Sequence, residues 1–117
     1  MGGTVMERVE KIAQTLYDKK ADGIKILDIS ELTSIGDYFI ICSCNSAIHV
    51  KACAGEVEDK LKETGLTPNH IEGFSGGNWI LMDYGDIIVH IMTEENHEFY
   101  ALEKLWSDAK EITVDLK

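Results

Sequence analysis

Residues 38–43 (YFIICS) constrain the fold more than any other part of this sequence. The run is continuously apolar over the length of a strand, whereas a strand exposed on one face alternates apolar and polar residues. Such a strand is buried on both faces, so other elements must pack above and below its sheet. With 117 residues the chain has room for one layered core, and we expect a single domain over residues 1–117.

Three segments have the apolar spacing of amphipathic helices. The first covers residues 5–20. The second covers residues 47–63 and follows the helix-capping residues Asn45 and Ser46. The third begins after the capping residue Thr93, and we expect the chain beyond it to fray. Its apolar stripe consists of Phe99, Leu102, Leu105, Trp106 and Ala109.

Further strands are predicted over residues 23–29, 69–74, 79–84 and 87–92. The order of elements is then helix, two strands, helix, three strands and helix. This order predicts an α/β domain, with a single mixed β-sheet flanked by helices.

The last two strands form a hairpin if Gly85 and Asp86 make a two-residue turn, which places Tyr84 opposite Ile87. Side chains alternate in direction along each strand. One face of the hairpin therefore collects Ile80, Met82, Tyr84, Ile87, Val89 and Ile91. This set is almost entirely apolar, so we expect it to face the core.

The opposite face of the hairpin mixes aromatic, apolar and titratable side chains: Trp79, Leu81, Asp83, Ile88, His90 and Met92. Such a mixture favours a protein interface, because tryptophan and methionine offer large contact areas and an aspartate can meet a basic residue. Two alternatives stay open. A helix of the same chain or a second copy of the chain could cover this face, so we expect a monomer or a homodimer.

The net charge of −10 is unevenly distributed, because residues 63–103 contain eight acidic side chains and no lysine or arginine. Proteins bind nucleic acids mainly by neutralising phosphates with lysine and arginine. We therefore expect no direct nucleic-acid binding and predict a basic protein as the partner. Acidic surface that only maintains solubility is an equally good explanation of the composition.

The three cysteines are predicted to be reduced thiols, because the chain shows no secretory signal. No apolar run is long enough to span a bilayer, so we expect a cytoplasmic protein that does not enter membranes. Cys42 and Cys44 could be half of a zinc site, but only Cys53 remains as a further thiol, and no histidine has a partner at metal-ligand spacing. We expect no metal and no cofactor.

Five segments carry a more specific pattern: residues 37–41 (DYFII), 45–46 (NS), 72–73 (EG), 79–90 (WILMDYGDIIVH) and 98–106 (EFYALEKLW). In this order they resemble the ribosomal silencing factor family, also called Iojap-like. The resemblance implies a nucleotidyltransferase-like α/β fold. It also implies binding to ribosomal protein fourteen of the large ribosomal subunit, which blocks joining of the small subunit and represses translation. Related organelle proteins are tied to assembly of the large subunit.

The resemblance also implies a partner-binding surface. It centres on Trp79, Leu81, Asp83, His90 and Met92, with Glu72 on the neighbouring strand. These residues coincide with the mixed face of the hairpin. Three positions depart from the family pattern: Cys44 replaces a common glycine, Met92 a frequent phenylalanine and His97 a usual arginine.

A nucleotidyltransferase-like fold also suggests an enzyme, since such catalysts hold metal ions with paired carboxylates near a glycine-containing turn. Asp83 with Asp86, or Asp28 with Asp37, could form such a pair. Phosphate chemistry usually also needs lysine or arginine, and residues 63–103 contain none. We therefore favour a turn role for Asp86 and a strand lead-in for Asp37, and predict no catalytic residue.

Overall fold

The computed structural model describes residues 4–34, 36–100, 104 and 106–117. Its elements are, in chain order, α1 (Val5–Asp18), β1 (Asp22–Asp28), β2 (Tyr38–Cys44), α2 (Ala47–Lys62), β3 (His70–Glu72), β4 (Trp79–Asp83), β5 (Ile87–Thr93), α3 (Glu94–Tyr100) and β6 (Lys110–Ile112). The strands form one sheet in the order β3-β4-β5-β2-β1-β6. β2 and β5 are parallel and the other neighbours are antiparallel, so the predicted mixed α/β sheet is confirmed.

Helices α1 and α2 pack on the same face of the sheet, which we call the helix face. α1 begins with a capping box, in which Thr4 Oγ1 accepts a hydrogen bond from Glu7 N and the Glu7 carboxylate accepts one from Thr4 N. Ser46 caps α2 by accepting a hydrogen bond from His49 N. The two helices bury Val9, Ile12, Ala13 and Leu16 of α1, and Val50, Ala54, Val57 and Leu61 of α2.

The hairpin of β4 and β5 has the predicted register. Trp79 pairs with Met92, and Leu81 pairs with His90. Gly85 has a φ of +89°, which a type II′ turn requires at its first central position. The side chains of Ile80, Met82, Ile87, Val89 and Ile91 are fully buried and join the core beneath α1 and α2. The prediction that this side of the hairpin faces the core is confirmed.

A second, smaller core lies on the opposite side of the sheet, which we call the tryptophan face. Its buried members are Leu27, Ile29, Phe39, Ile41, Ile88 and Met92, and Trp79, Leu81, Trp106 and Ala109 pack against them. β2 contributes to both cores, so the prediction that residues 38–43 are buried on both faces is confirmed.

The C-terminal part of the chain differs from its prediction. Thr93 caps α3 as expected, because its Oγ1 accepts a hydrogen bond from Asn96 N at 3.3 Å. Trp106 lies in a turn, where its carbonyl oxygen accepts a hydrogen bond from Ala109 N at 2.9 Å. Leu102 and Leu105 lie outside the described residues.

The expectation that the residues beyond the last helix fray was wrong. Lys110–Ile112 forms the edge strand β6, which pairs antiparallel with β1. Ile112 packs against the core of the helix face, and this burial explains why the segment is ordered. No helix within the described residues is both long and apolar enough to cross a membrane.

Candidate protein-binding surface

The tryptophan face changes from exposed to buried along one row of cross-strand neighbours. Glu72 on β3 pairs with Leu81 on β4, Leu81 with His90 on β5, and His90 with Ile41 on β2. Glu72 is exposed and Leu81 is half-buried, whereas His90 and Ile41 are buried. The accessible part of this face is therefore the edge formed by β3 and β4.

Trp79 is held at this edge by a polar contact across the hairpin. Its Nε1–H donates a hydrogen bond to Nδ1 of His90 at 3.2 Å, and the two ring centroids are 6.0 Å apart. The indole is half-buried. Because its single N–H donor is used within the chain, Trp79 presents a partner with an oriented, mainly apolar ring.

His90 and Met92 lie beneath the edge. The His90 ring contacts Phe39 at a centroid distance of 4.7 Å, and Phe39 contacts Trp106 at 5.2 Å. Burial lowers the pKa of His90 to about 4, so the imidazole is neutral at pH 7. Met92 is fully buried opposite Trp79. In the isolated chain these two predicted binding residues are withdrawn from solvent and support the edge from below.

A shallow depression of about 380 Å³ lies at the edge and is lined by Glu72, Gly73, Trp79 and Leu81. Gly73 has a φ of +80°, and a Cβ at this position would collide with the carbonyl oxygen of Trp79. The turn after β3 can therefore close on β4 only with glycine here, and this close approach holds Glu72 beside the apolar residues.

Phe74, which was not predicted as a binding residue, follows this glycine and is 45% exposed. The available signal was a large apolar residue within the glycine-rich turn EGFSGGN. A single exposed apolar residue is common and indicates no function by itself, but Phe74 directly follows Gly73, which lines the depression. Phe74 extends the set of accessible apolar side chains near the depression.

The edge carries two carboxylates. Glu72 Oε2 accepts a hydrogen bond from His70 Nε2 at 2.8 Å, and the Glu72 side chain is 63% exposed. Asp83 Oδ1 accepts one from Gly85 N at 2.7 Å, which stabilises the hairpin turn. Among the described residues, neither carboxylate forms an ion pair with a lysine or arginine. No lysine or arginine in this part of the chain therefore neutralises the two carboxylates, and Glu72 pairs only with His70.

Asp86 and Asp28, one aspartate from each pair of the enzyme alternative, have structural partners. Arg8 of α1 donates two hydrogen bonds to Asp86, at 3.0 and 2.9 Å, which ties the hairpin turn to the helix. Asp28 accepts hydrogen bonds from the backbone and hydroxyl of Ser30, and these bonds lower the pKa of Asp28. In the described part of the chain, neither predicted carboxylate pair belongs to a larger cluster of metal-binding side chains.

The sequence matches, over residues 4–117, the family described as ribosomal silencing factor during starvation. The chain belongs to this family. A ribosomal silencing factor from Bacillus subtilis is 40% identical over 98 residues, covering 84% of this chain and 83% of the relative. A more distant protein from Mus musculus is named for mitochondrial assembly of the ribosomal large subunit. It is 28% identical over 102 residues, covering 85% of this chain and 45% of the mouse protein.

A crystal structure of a protein from Chromobacterium violaceum has the same fold. It matches with a TM-score of 0.86 and 33% sequence identity, covering 97% of this chain and 94% of that one. The family resemblance inferred from the five sequence segments is thereby confirmed. The Bacillus subtilis relative is named as a silencing factor and not as an enzyme.

Proposed function

We propose that this chain represses translation by binding the large ribosomal subunit through ribosomal protein fourteen, and so sterically blocks association with the small subunit. The β3–β4 edge supports the proposal, because half-buried Trp79 and Leu81 lie there beside the exposed carboxylate of Glu72 and half-buried Asp83. Membership of the silencing-factor family supports the same function. The activity takes place in the cytoplasm and uses no cofactor.

Binding at this edge combines an apolar centre with a charged rim. Trp79 and Leu81 provide the contact area from which interfaces gain most of their affinity. Glu72 and Asp83 attract a basic partner, and such rim charges mainly raise the association rate. His90 and Met92 contribute from below, by holding the orientation of the tryptophan.

The mechanism is exclusion and requires no chemical step. The folded chain measures 33 × 32 × 28 Å, which is large compared with the gap between two surfaces in contact. A domain of this size, bound where the small subunit docks, occupies space that the small subunit must enter. Residues 63–103 lack lysine and arginine, so the β3–β4 edge contacts ribosomal protein and not ribosomal RNA.

Titration of purified large subunits with the Trp79→Ala variant tests the site. We expect this substitution to weaken binding by roughly 2 kcal/mol or more, because it removes the apolar anchor. Circular dichroism and thermal unfolding identify any loss of fold, since the same substitution removes the hydrogen bond to His90. Unchanged affinity in a folded variant would exclude Trp79 from the binding site.

A pair of charge reversals tests the acidic rim without touching the core. Glu72→Lys changes an exposed side chain at the edge, whereas Asp59→Lys makes the same change on an exposed position of α2. We expect weaker and less salt-dependent binding for Glu72→Lys only. Equal effects of the two variants would mean that net charge, and not this edge, determines binding.

Assembly of the large subunit is a second candidate function, favoured by the name of the Mus musculus relative. The two functions differ in what accumulates when the chain is absent. A silencing factor leaves mature large subunits that join small subunits too readily, whereas an assembly factor leaves immature large-subunit particles. Sedimentation of ribosomes from a deletion strain, followed by a subunit-joining assay with the purified chain, distinguishes them.

A further inference from the structure

Three soft metal ligands meet on the helix face, on the side of the sheet opposite the tryptophan face. Cys44 ends β2, His49 lies in the first turn of α2, and Cys53 follows one turn later. One ligand atom of each lies within 4.8 Å of the other two. Within the described ranges this is the one group of its kind. Spacing in the sequence did not reveal it, because the fold brings the end of a strand against the following helix.

The distance between the two sulfurs fits a metal site. Cys44 Sγ and Cys53 Sγ are 3.6 Å apart. Two thiolates on one tetrahedral zinc ion, with Zn–S bonds of about 2.3 Å, are separated by about 3.8 Å. A disulfide would instead require about 2.0 Å. Both cysteines are buried, and half-buried His49 completes the group.

A backbone oxygen borders the same group. The carbonyl oxygen of Lys19, directly after α1, accepts a hydrogen bond from His49 Nε2 at 2.6 Å and lies 4.0 Å from Cys53 Sγ. Metal-binding histidines are commonly oriented by a carbonyl or carboxylate oxygen. If the Lys19 oxygen orients the imidazole, Nδ1 is the ligand atom and exchanges its 3.4 Å hydrogen bond from Asn45 N for the ion. If the Lys19 oxygen instead fills a fourth coordination position, Nε2 is the ligand atom.

A metal ion binds cysteine as the thiolate, so the charge of the occupied site follows from its ligands. Two thiolates balance the 2+ charge, so the buried site is neutral as a whole, which limits the desolvation cost.

We propose that Cys44, His49 and Cys53 bind a divalent ion of the zinc type, with the Lys19 carbonyl oxygen or water in the fourth position. The bound ion connects the end of α1, the end of β2 and the start of α2, and so stabilises the core of the helix face. The inference is independent of the proposed ribosome binding, because the ligands lie on the other side of the sheet from Trp79.

Titration of the reduced, chelator-treated full chain with Co²⁺ tests the site. We expect one Co²⁺ per chain, the intense visible absorption of tetrahedral cobalt and a thiolate charge-transfer band in the near ultraviolet. Zn²⁺ should displace the cobalt and raise the melting temperature.

Three variants separate a metal site from a pair of packed thiols. We expect Cys53→Ser and His49→Ala each to lower the Zn²⁺ affinity by at least about 100-fold. Cys42→Ala removes a buried thiol outside the group and should retain binding. Because His49 is only half-buried, its variant remains informative if Cys53→Ser does not fold. Absence of tetrahedral cobalt absorption in the unmodified chain, or equal Zn²⁺ affinity in His49→Ala, would overturn the proposal.

Discussion

The two faces of the sheet are covered by different elements and to different extents. On the helix face, α1 and α2 bury side chains such as Ile80 and Ile91 completely. On the tryptophan face, the turn at Trp106 covers the centre of the sheet, and the β3–β4 edge leaves Trp79 and Leu81 partly accessible. The helix face therefore supplies most of the stability of the fold, whereas the tryptophan face combines a small core with an accessible surface.

The largest effect is expected from Ile80→Ala on the helix face. Ile80 is fully buried in β4, so the truncation leaves a cavity and should lower the free energy of unfolding by about 2–5 kcal/mol. Urea denaturation measures this loss. The folded variant should bind large subunits with unchanged affinity, because the helix face is not part of the proposed binding site. A loss below about 1 kcal/mol would mean that the helix face is not the main source of stability.

The second effect is a pH dependence that arises on the tryptophan face. The pKa of His90 is about 4 in the folded chain, below its ordinary value of 6.5, because burial disfavours the charged ring. Below pH 6.5 the unfolded chain therefore binds a proton that the folded chain does not. Stability should fall by up to about 3 kcal/mol between pH 6.5 and pH 4.

The His90→Gln variant isolates this contribution. The glutamine amide does not titrate, and it still offers Trp79 a hydrogen-bond acceptor. Denaturation at several pH values should give a shallower decline for the variant than for the unmodified chain. His70→Gln serves as the control, because His70 is exposed. Parallel pH profiles of stability for His90→Gln and the unmodified chain would mean that His90 does not cause the loss of stability at low pH.

A smaller effect is expected from removing the cover of the tryptophan face. Trp106 contacts Phe39 at 5.2 Å, so Trp106→Ala should cost roughly 2 kcal/mol of stability. It should also hydrate the neighbourhood of His90 and move the pKa of this histidine upward, toward its ordinary value. An NMR titration of the imidazole measures the shift, and an unchanged pKa would mean that other residues exclude water from His90.

Much of the hairpin could be predicted from the sequence, because its determinants are local. A two-residue turn at Gly85 fixes the register, and alternation along β4 then places Ile80 on one face and Leu81 on the other. The five predicted binding residues of the hairpin, Trp79, Leu81, Asp83, His90 and Met92, were thereby assigned to one and the same face of the sheet. The extent to which each of these side chains is buried could not be predicted, because it depends on contacts made by residues distant in sequence.

Two features depend on such distant contacts, and a third depends on how two consecutive elements pack. Trp106 covers His90 through Phe39, which lies far away in the sequence. Lys110–Ile112 becomes a strand only because β1 offers it an edge. Cys44 and Cys53 come together because α2 folds back onto the end of β2. No periodicity within a single segment indicates any of these arrangements.

The smallest effect on stability is expected from Leu81→Ala. Leu81 follows Ile80 in the same strand but is half-buried on the tryptophan face, so its truncation should cost only about 1 kcal/mol. If the edge is the binding site, the same change should weaken large-subunit binding by more than about 1 kcal/mol. Two adjacent residues would then have opposite profiles, with Ile80 affecting stability and Leu81 affecting binding. Ile80 and Leu81 are both apolar and lie in the same strand, so neither residue type nor secondary structure can explain such opposite effects on stability and binding. A Leu81→Ala variant that loses stability but binds normally would instead mean that the edge is only an incompletely covered part of the core.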